Sequence, residues 1–301
     1  MRAKVRGSLC LLMATVIWGF AFTAQSVGMG LLGPFTFQAV RCGLAVAFLI
    51  PCGFILDIGR CSGKESVKKW FSPKLWKTGL LCGCALFVAA SLQQVGLVYT
   101  DAGKAGFITA MYIVLVPVLG LVLGKEIPKS AVISVLLAVV GLYLLSCMGA
   151  TGINRGDMLL MACALAFAIQ ITCIDRFAGG LDGFRLNCIQ CLVVSLLSVP
   201  FIVLTETVVV QDIFACWGPL LFAGVMSMGI AYSMQILGQK HLEPTTASLI
   251  MSLESAFAAL GGWWLLGETM TSWELLGCAL VFLAVLISQM PAGMFQKAKT
   301  K

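Results

Sequence analysis

Charged residues are scarce in this 301-residue sequence. Only 11% of the residues are Asp, Glu, Lys or Arg, whereas 60% are hydrophobic and the mean hydropathy is +1.00. Soluble domains carry about 25% charged and roughly 45–50% apolar residues. A water-soluble core of this length cannot bury such an apolar excess, so lipid must be the main solvent. The same composition excludes a disordered chain and a nucleic-acid partner.

Residues suited to catalysis or metal binding are also scarce. The one histidine, His241, lies in a predicted loop, so the spans contain no histidine for a metal site or a catalytic triad. The stretch from Gly120 to Lys125 has the wrong spacing for a P-loop, which argues against ATP-driven pumping by this chain alone. Cys188 and Cys191 form a C-x-x-C in an apolar run without a second ligand pair, as is typical of packed helices. We therefore expect no catalytic residue, no metal, no cofactor and no enzyme activity.

Apolar stretches long enough to cross a bilayer recur along the whole chain. A transmembrane helix needs about 20 predominantly apolar residues, and glycine or proline separates many of the stretches. The sequence thus predicts an all-α integral membrane protein with ten spans, at about 8–28, 34–56, 76–99, 103–124, 129–149, 157–175, 184–204, 214–238, 244–266 and 272–290.

The distribution of Lys and Arg predicts how these spans are oriented. With a cytoplasmic N-terminus, 17 of the 20 Lys and Arg residues fall on the cytoplasmic side, and the outer loops hold only Lys104 and Arg155. Arg41 lies within a span. Because positive charge is enriched in cytoplasmic loops, we expect a multi-pass protein with both termini in the cytoplasm.

An internal repeat divides the predicted spans into two groups of five. The tetrapeptide 11–14 recurs at 159–162, a shift of 148, and a shift of 142 relates Gln93 to Gln235 and continues along the next two spans. Five spans per half force the second half to enter the membrane upside down. Inverted repeats of this kind are typical of transporters that alternate access to a midplane site.

Short motifs in both halves give the chain a family resemblance. They are Trp18-Gly19, Arg41, Pro117, Gly124-Lys125-Glu126, the stretch 253–259 (LESAFAA) and Leu266-Gly267-Glu268. In these features the chain resembles the drug/metabolite transporter superfamily, in its ten-span type with two EamA domains, here at about 9–147 and 157–289. It departs from the family pattern at Ser255, where proline is usual, and at Ala166-Phe167, where the second half lacks Trp-Gly. The resemblance implies a secondary carrier, often an exporter of amino acids or related metabolites, in a bacterial cytoplasmic (inner) membrane.

Two ionisable residues lie well inside predicted spans, where charge is costly. Glu254 shares a helix face with small residues that favour close packing, so it should point inward. It is a candidate for substrate binding and for proton coupling, because desolvation favours a protonated carboxylate. A purely structural hydrogen bond or ion pair is the alternative. Arg41 is a candidate either for binding a substrate anion or for structural pairing.

Neutral polar and aromatic residues extend the candidate substrate site. Amides and phenols can bind a polar solute without strong fixed charge, although each can instead join helices together. The candidate substrate-binding residues are Trp18, Gln93, Tyr99, Tyr112, Gln170, Tyr232, Gln235 and Glu254. By the repeat, Tyr112 is the counterpart of Glu254.

The sequence therefore favours a secondary transporter that exports amino acids or related small polar metabolites. A channel, a sensory or structural membrane protein, and a membrane-embedded lipid enzyme are the alternatives. The expected partners are a small-molecule substrate and the lipid bilayer, for a monomer or a homodimer. Spans 1, 3, 4, 6, 8 and 9 should line a central polar cavity, with spans 5 and 10 peripheral.

Overall fold

A computed structural model describes residues 2–100, 102–127, 129–146, 154–266 and 271–289, and within these ranges the chain is helical and has no strand. The helices are α1 (Arg2–Met29), α2 (Pro34–Ile55), α3 (Gly63–Trp70), α4 (Pro73–Leu97), α5 (Ala102–Ala110), α6 (Tyr112–Val122), α7 (Lys129–Ser146), α8 (Arg155–Phe177), α9 (Gly183–Thr205), α10 (Val210–Ala215), α11 (Trp217–Leu221), the π-helix π1 (Phe222–Ala231), α12 (Tyr232–Gln239), α13 (Pro244–Met251), α14 (Leu253–Leu266) and α15 (Ser272–Gln289).

Seven helical segments in the described ranges are long and apolar enough to cross a membrane. They are α1, α2, α4, the α5–α6 segment from Lys104, α8, α9, and the continuous segment from α11 to α12. Predicted spans 5 and 10 contain shorter apolar helices, Ala131–Leu144 and Ser272–Ser288. Predicted span 9 is interrupted between α13 and α14. By length and composition, the described residues therefore contain seven candidate membrane-spanning helices, against the ten spans expected.

Two of the predicted spans contain an interruption that sequence patterns did not indicate. Met111 separates α5 from α6, and Ser252 separates α13 from α14. At both places the backbone makes a tighter turn, since Met111 N–H donates to Ile108 and Ser255 N–H donates to Ser252. The candidate site residues Tyr112 and Glu254 lie within two residues after these interruptions.

Helices α2 and α9 form an antiparallel pair that is joined at both ends. At one end Arg185 contacts Asp57, with 2.6 Å between Nη2 and Oδ2. At the other end Glu206 accepts hydrogen bonds from the Thr36 backbone N–H at 2.8 Å and from its hydroxyl at 2.6 Å. The two contacts are equivalent under one offset of 149 positions. Position 36 corresponds to position 185, and position 57 corresponds to position 206, so each contact joins the counterparts of the two residues in the other.

Close helix packing shows the same kind of recurrence. A Cβ atom at Gly96 of α4 would lie 2.8 Å from Leu160 of α8, and one at Gly238 of α12 would lie 2.6 Å from Leu11 of α1. Only glycine allows these approaches without displacing the neighbouring helix. Gly96 and Gly238 are 142 positions apart, and Leu11 and Leu160 are 149 apart. The offset for the first spans is therefore 149, one more than the 148 of the matching tetrapeptides.

Helices α7 and α15 pack mainly against each other, away from the centre of the bundle. Gly141 of α7 allows this approach, because a Cβ atom there would lie 2.8 Å from the Gly277 carbonyl oxygen. Outward-facing residues such as Leu136 and Leu286 are exposed. This placement agrees with the peripheral position expected for spans 5 and 10.

Candidate functional site

A central cavity of about 30 Å³ lies among α1, α2, α4, α5, α6, α8, π1, α12, α13 and α14. It exceeds the roughly 10–15 Å³ that a cavity needs to hold a water molecule. Seven of the nine residues singled out from sequence line it: Trp18, Arg41, Gln93, Tyr112, Tyr232, Gln235 and Glu254. Residues from the stretches predicted as spans 1, 3, 4, 6, 8 and 9 line the cavity, and Arg41 adds α2.

A buried carboxylate and a buried phenol meet on one wall of the cavity. The Tyr112 hydroxyl donates to Glu254 Oε1 at 3.0 Å. Only 6% of Glu254 and 4% of Tyr112 is exposed. The two residues are 142 positions apart, so the residues that the sequence repeat makes equivalent are in direct contact.

A buried cation occupies another wall of the same cavity. The Arg41 guanidinium donates to the Gln25 amide oxygen and lies over the Phe37 ring, 5.7 Å from its centroid. None of the ion pairs found among the described residues includes Arg41. Burying a charge is costly unless it is compensated. Arg41 and Glu254 thus face one cavity, and the side-chain hydrogen bond of each goes to a neutral group.

Aromatic and amide groups complete the lining. The Trp18 and Tyr232 rings meet edge to face with centroids 4.9 Å apart. Trp18 Nε1 and Gln235 Oε1 are buried and have no hydrogen-bond partner in the described part of the chain. One is a donor and the other an acceptor, so two residues that line the cavity each hold an unpartnered polar atom, one of each kind.

The structure removes two predicted residues from the cavity lining. Tyr99 follows the end of α4 and is exposed, and its carbonyl oxygen accepts a hydrogen bond from Asn154. The structure does not bring Tyr99 to the cavity, because position 99 lies beyond the helix that carries Gln93 inward. Gln170 is fully buried and contacts Gln235 rather than the cavity.

Several cavity residues are not among the candidate substrate-binding residues. Phe22 follows Trp18 at position i+4, a helical spacing that could have identified it, and Gln25 is a neutral polar residue of the same helix at i+7. Ser227 and Met228 belong to π1, and a change from α- to π-helix rotates later side chains in a way that an α-helical periodicity does not predict. The additional lining residues include Phe22, Gln25, Thr109, Phe167, Ser227 and Met228.

A second buried arginine lies at one end of the α2–α9 pair. Arg185 contacts Asp57 and also Asp182, at 2.8 Å. It donates to the Gly53 carbonyl oxygen and the Ser66 hydroxyl. Asp57 follows α2, and hydrogen bonds from Lys69 and Ser66, together with Arg185, hold the pKa of its carboxyl well below the usual range. Within the described residues, no cluster of three or more metal-binding side chains occurs.

Comparison with known proteins identifies the family. A model described as the EamA-like transporter family matches residues 5–147 and 154–290. An uncharacterized transporter of Archaeoglobus fulgidus is 33% identical over 287 residues, which cover 94% of this chain and 86% of the relative. The threonine/homoserine exporter RhtA of Escherichia coli is 33% identical over 161 residues, covering 50% of this chain and 51% of the exporter.

The fold has a counterpart among solved structures. One crystal structure aligns with a TM-score of 0.77 at 19% identity and covers 96% of this chain and 98% of the other. At this identity the likeness bears on the fold alone. The family model, which matches nearly the whole sequence, and the relative that is one-third identical over 94% of it establish that this chain belongs to the EamA-like transporter family.

Proposed function

We propose that this membrane transporter is a secondary carrier that exports amino acids or related small polar metabolites by alternating access. It would have ten spans in two inverted halves, 9–147 and 157–289, in a bacterial cytoplasmic membrane with both termini in the cytoplasm. Residues 147 and 290–301 lie outside the described residues. The observation that carries the proposal is that Arg41 and Glu254 line one cavity while each is hydrogen-bonded to a neutral group.

Recurring contacts support the inverted arrangement. The Asp57–Arg185 and Glu206–Thr36 contacts lie at opposite ends of α2 and α9 and share the offset of 149. An inverted repeat produces such pairs, because its pseudo-twofold axis lies in the membrane plane and exchanges the two faces. Residues near that axis meet their own counterparts, as Tyr112 and Glu254 do.

The size of the cavity supports a change of conformation during transport. A volume of about 30 Å³ is too small for an amino acid. A substrate can therefore enter only if the helices around the cavity separate on one side. Two similar halves provide a way to do this alternately on each face.

The lining favours a zwitterion as the substrate. Arg41 and the Trp18 indole N–H can donate to a carboxylate, while Glu254 and Gln235 Oε1 can accept from an ammonium group. Similarity over half of the chain to exporters of threonine and homoserine agrees with this choice. We take L-threonine and L-homoserine as the first substrates to test.

Glu254 would also link transport to protons. A desolvated carboxylate can hold either a proton or a substrate cation, so the two would compete for one site. Tyr112 keeps its proton at physiological pH, so coupling would depend on Glu254 alone. Glu254→Gln retains the shape and hydrogen bonding of the side chain but removes the charge.

The test is transport into proteoliposomes containing the purified protein. We expect wild type to exchange radiolabelled L-threonine and to accumulate it against a pH gradient. Glu254→Gln should lose the gradient-driven accumulation, while exchange remains measurable at raised L-threonine concentration because Arg41 is intact. Glu274→Gln, which changes a partly exposed carboxylate in α15, is the matched control and should behave as wild type.

Two results would contradict the proposal. If wild type exchanges neither L-threonine, L-homoserine nor any other neutral amino acid, the substrate class is wrong. If Glu254→Gln accumulates substrate normally under a pH gradient, the carboxylate does not couple protons.

A further inference from the structure

Three buried glutamines form a hydrogen-bonded row that begins at the cavity wall. Gln235 of α12 donates through Nε2 to Gln170 Oε1 at 3.2 Å. Gln170 of α8 donates through Nε2 to Gln190 Oε1 of α9 at 3.3 Å. Gln170 and Gln190 are fully buried, and 2% of Gln235 is exposed. Only Gln235 lines the cavity.

The row has a direction. Each amide has one oxygen that accepts and one nitrogen that donates. Gln170 uses both groups, accepting from Gln235 and donating to Gln190. Gln235 has used its nitrogen, so its oxygen remains without a partner among the described residues. If Gln170 were reversed, Gln190 and Gln235 would both have to turn as well, and Gln235 would then present its N–H groups to the cavity instead.

We propose that Gln170 is a positioning residue for substrate selection, which fixes the Gln235 amide so that its oxygen is presented to the substrate. An oxygen accepts from an ammonium group, whereas an amide N–H would repel it. The row would therefore select solutes that carry an ammonium group. The identity of the solute in this inference rests on the proposed function. The hydrogen-bond coupling within the row is independent of that function.

Two substitutions at position 170 distinguish positioning from simple packing. A carboxyl group buried at this position would be neutral, because a charge without a cationic partner is too costly there. A neutral carboxyl has one accepting oxygen and one O–H donor, so Gln170→Glu can accept from Gln235 and donate to Gln190. Gln170→Leu has a similar volume but lacks both functions. Positioning predicts that Glu is tolerated better than Leu, and packing predicts the reverse.

The first experiment requires no substrate. Melting temperatures of purified protein in detergent are measured for Gln170→Leu, Gln235→Leu and the double variant. Because the two amides bond to each other, their effects should be non-additive. Gln170→Leu combined with Gln93→Leu is the control pair, since Gln93 also lines the cavity but is not bonded to Gln170. Additive effects in the Gln170–Gln235 cycle would overturn the proposal.

The second experiment measures L-threonine exchange in proteoliposomes. We expect Gln170→Leu to raise KM about tenfold, as the loss of one oriented hydrogen bond would, with the maximal rate retained. Gln170→Glu should restore KM. Competition by the 2-hydroxy analogue of threonine, which lacks the ammonium group, should increase in Gln170→Leu and return to the wild-type level in Gln170→Glu.

The outcomes separate this proposal from the proposed function. A KM for Gln170→Leu equal to or below that of Gln170→Glu would overturn the positioning role, even if the stability cycle is non-additive. If wild type exchanges no amino acid, the proposed function fails. In that case the stability cycle decides whether the row is coupled, and selection for an ammonium group is overturned together with the substrate class.

Discussion

The two buried arginines of this protein, Arg185 and Arg41, are equally inaccessible but differ in their partners. Arg185 is 1% exposed and contacts the carboxylates of Asp57 and Asp182. Arg41 is 2% exposed and contacts the neutral amide of Gln25 and the face of the Phe37 ring. Burial alone therefore does not distinguish a structural cation from a ligand-binding one.

The difference lies in charge compensation. Removing one member of a compensated buried pair leaves an unpaired charge and is strongly destabilising. A cation without an acidic partner already bears the cost of desolvation in the folded state, so its removal can be nearly neutral. Retention of such a charge in the membrane indicates a functional role. Arg185 should thus support folding, and Arg41 should support binding.

The largest expected effect on stability is that of Arg185→Leu. It removes four hydrogen bonds that join α2, the segment around α3, and α9. We expect a loss of about 3 kcal/mol, seen as a marked fall in melting temperature and in the yield of inserted protein. Lys125→Ala is the control, because Lys125 is half-exposed in its ion pair with Asp175 and such pairs contribute at most about 1 kcal/mol. Equal effects of the two substitutions would contradict the structural role of Arg185.

Arg41→Gln should change stability less and transport more. The substitution removes a charge without an acidic partner, so we expect the free energy of unfolding to change by less than about 1 kcal/mol. L-Threonine exchange should fall at least about a hundredfold, as expected when a charged hydrogen-bond partner of a buried ligand is lost. The exposed Arg60 provides the control substitution Arg60→Gln. If Arg41→Gln lowers the yield of folded protein, but the folded fraction exchanges L-threonine at the wild-type rate, then Arg41 is structural and does not bind the substrate.

The smallest expected effect is a pH dependence at the Arg185 end of α2. Hydrogen bonds from Lys69 and Ser66, together with Arg185, lower the pKa of Asp57 in the folded protein. The stabilisation is therefore complete above the unfolded-state pKa of about 3.9 and is lost as the pH falls below it. Melting temperatures of wild type and Asp57→Asn should differ by a constant amount from pH 8 to pH 5 and converge below about pH 4. A difference that is already narrowing at pH 6 would show that another group is responsible.

Sequence reasoning located the ionisable residues of the site but not their partners. Glu254 and Arg41 stand out because charges are rare in apolar runs, and the repeat indicated that Tyr112 and Glu254 are counterparts. The contact between them lies directly after the interruptions at Met111 and Ser252, which alter local helix geometry without an obvious sequence signal. Tyr99 and Gln170 were assigned to the cavity by residue type, and residue type does not define the direction in which a side chain points.

The sequence by itself determined the solvent of this protein and the family to which it belongs. Apolar content and the distribution of Lys and Arg are sums over many residues, so a wrong interpretation of any single position does not change the conclusion. Only the tertiary structure decided which buried charges are compensated, because a contact between Asp57 and Arg185 joins residues 128 positions apart. It also decided that Gln235 faces the cavity while Gln170 lies behind it. Such distinctions arise where helices from distant parts of the chain meet, and local sequence patterns carry no information about those distances.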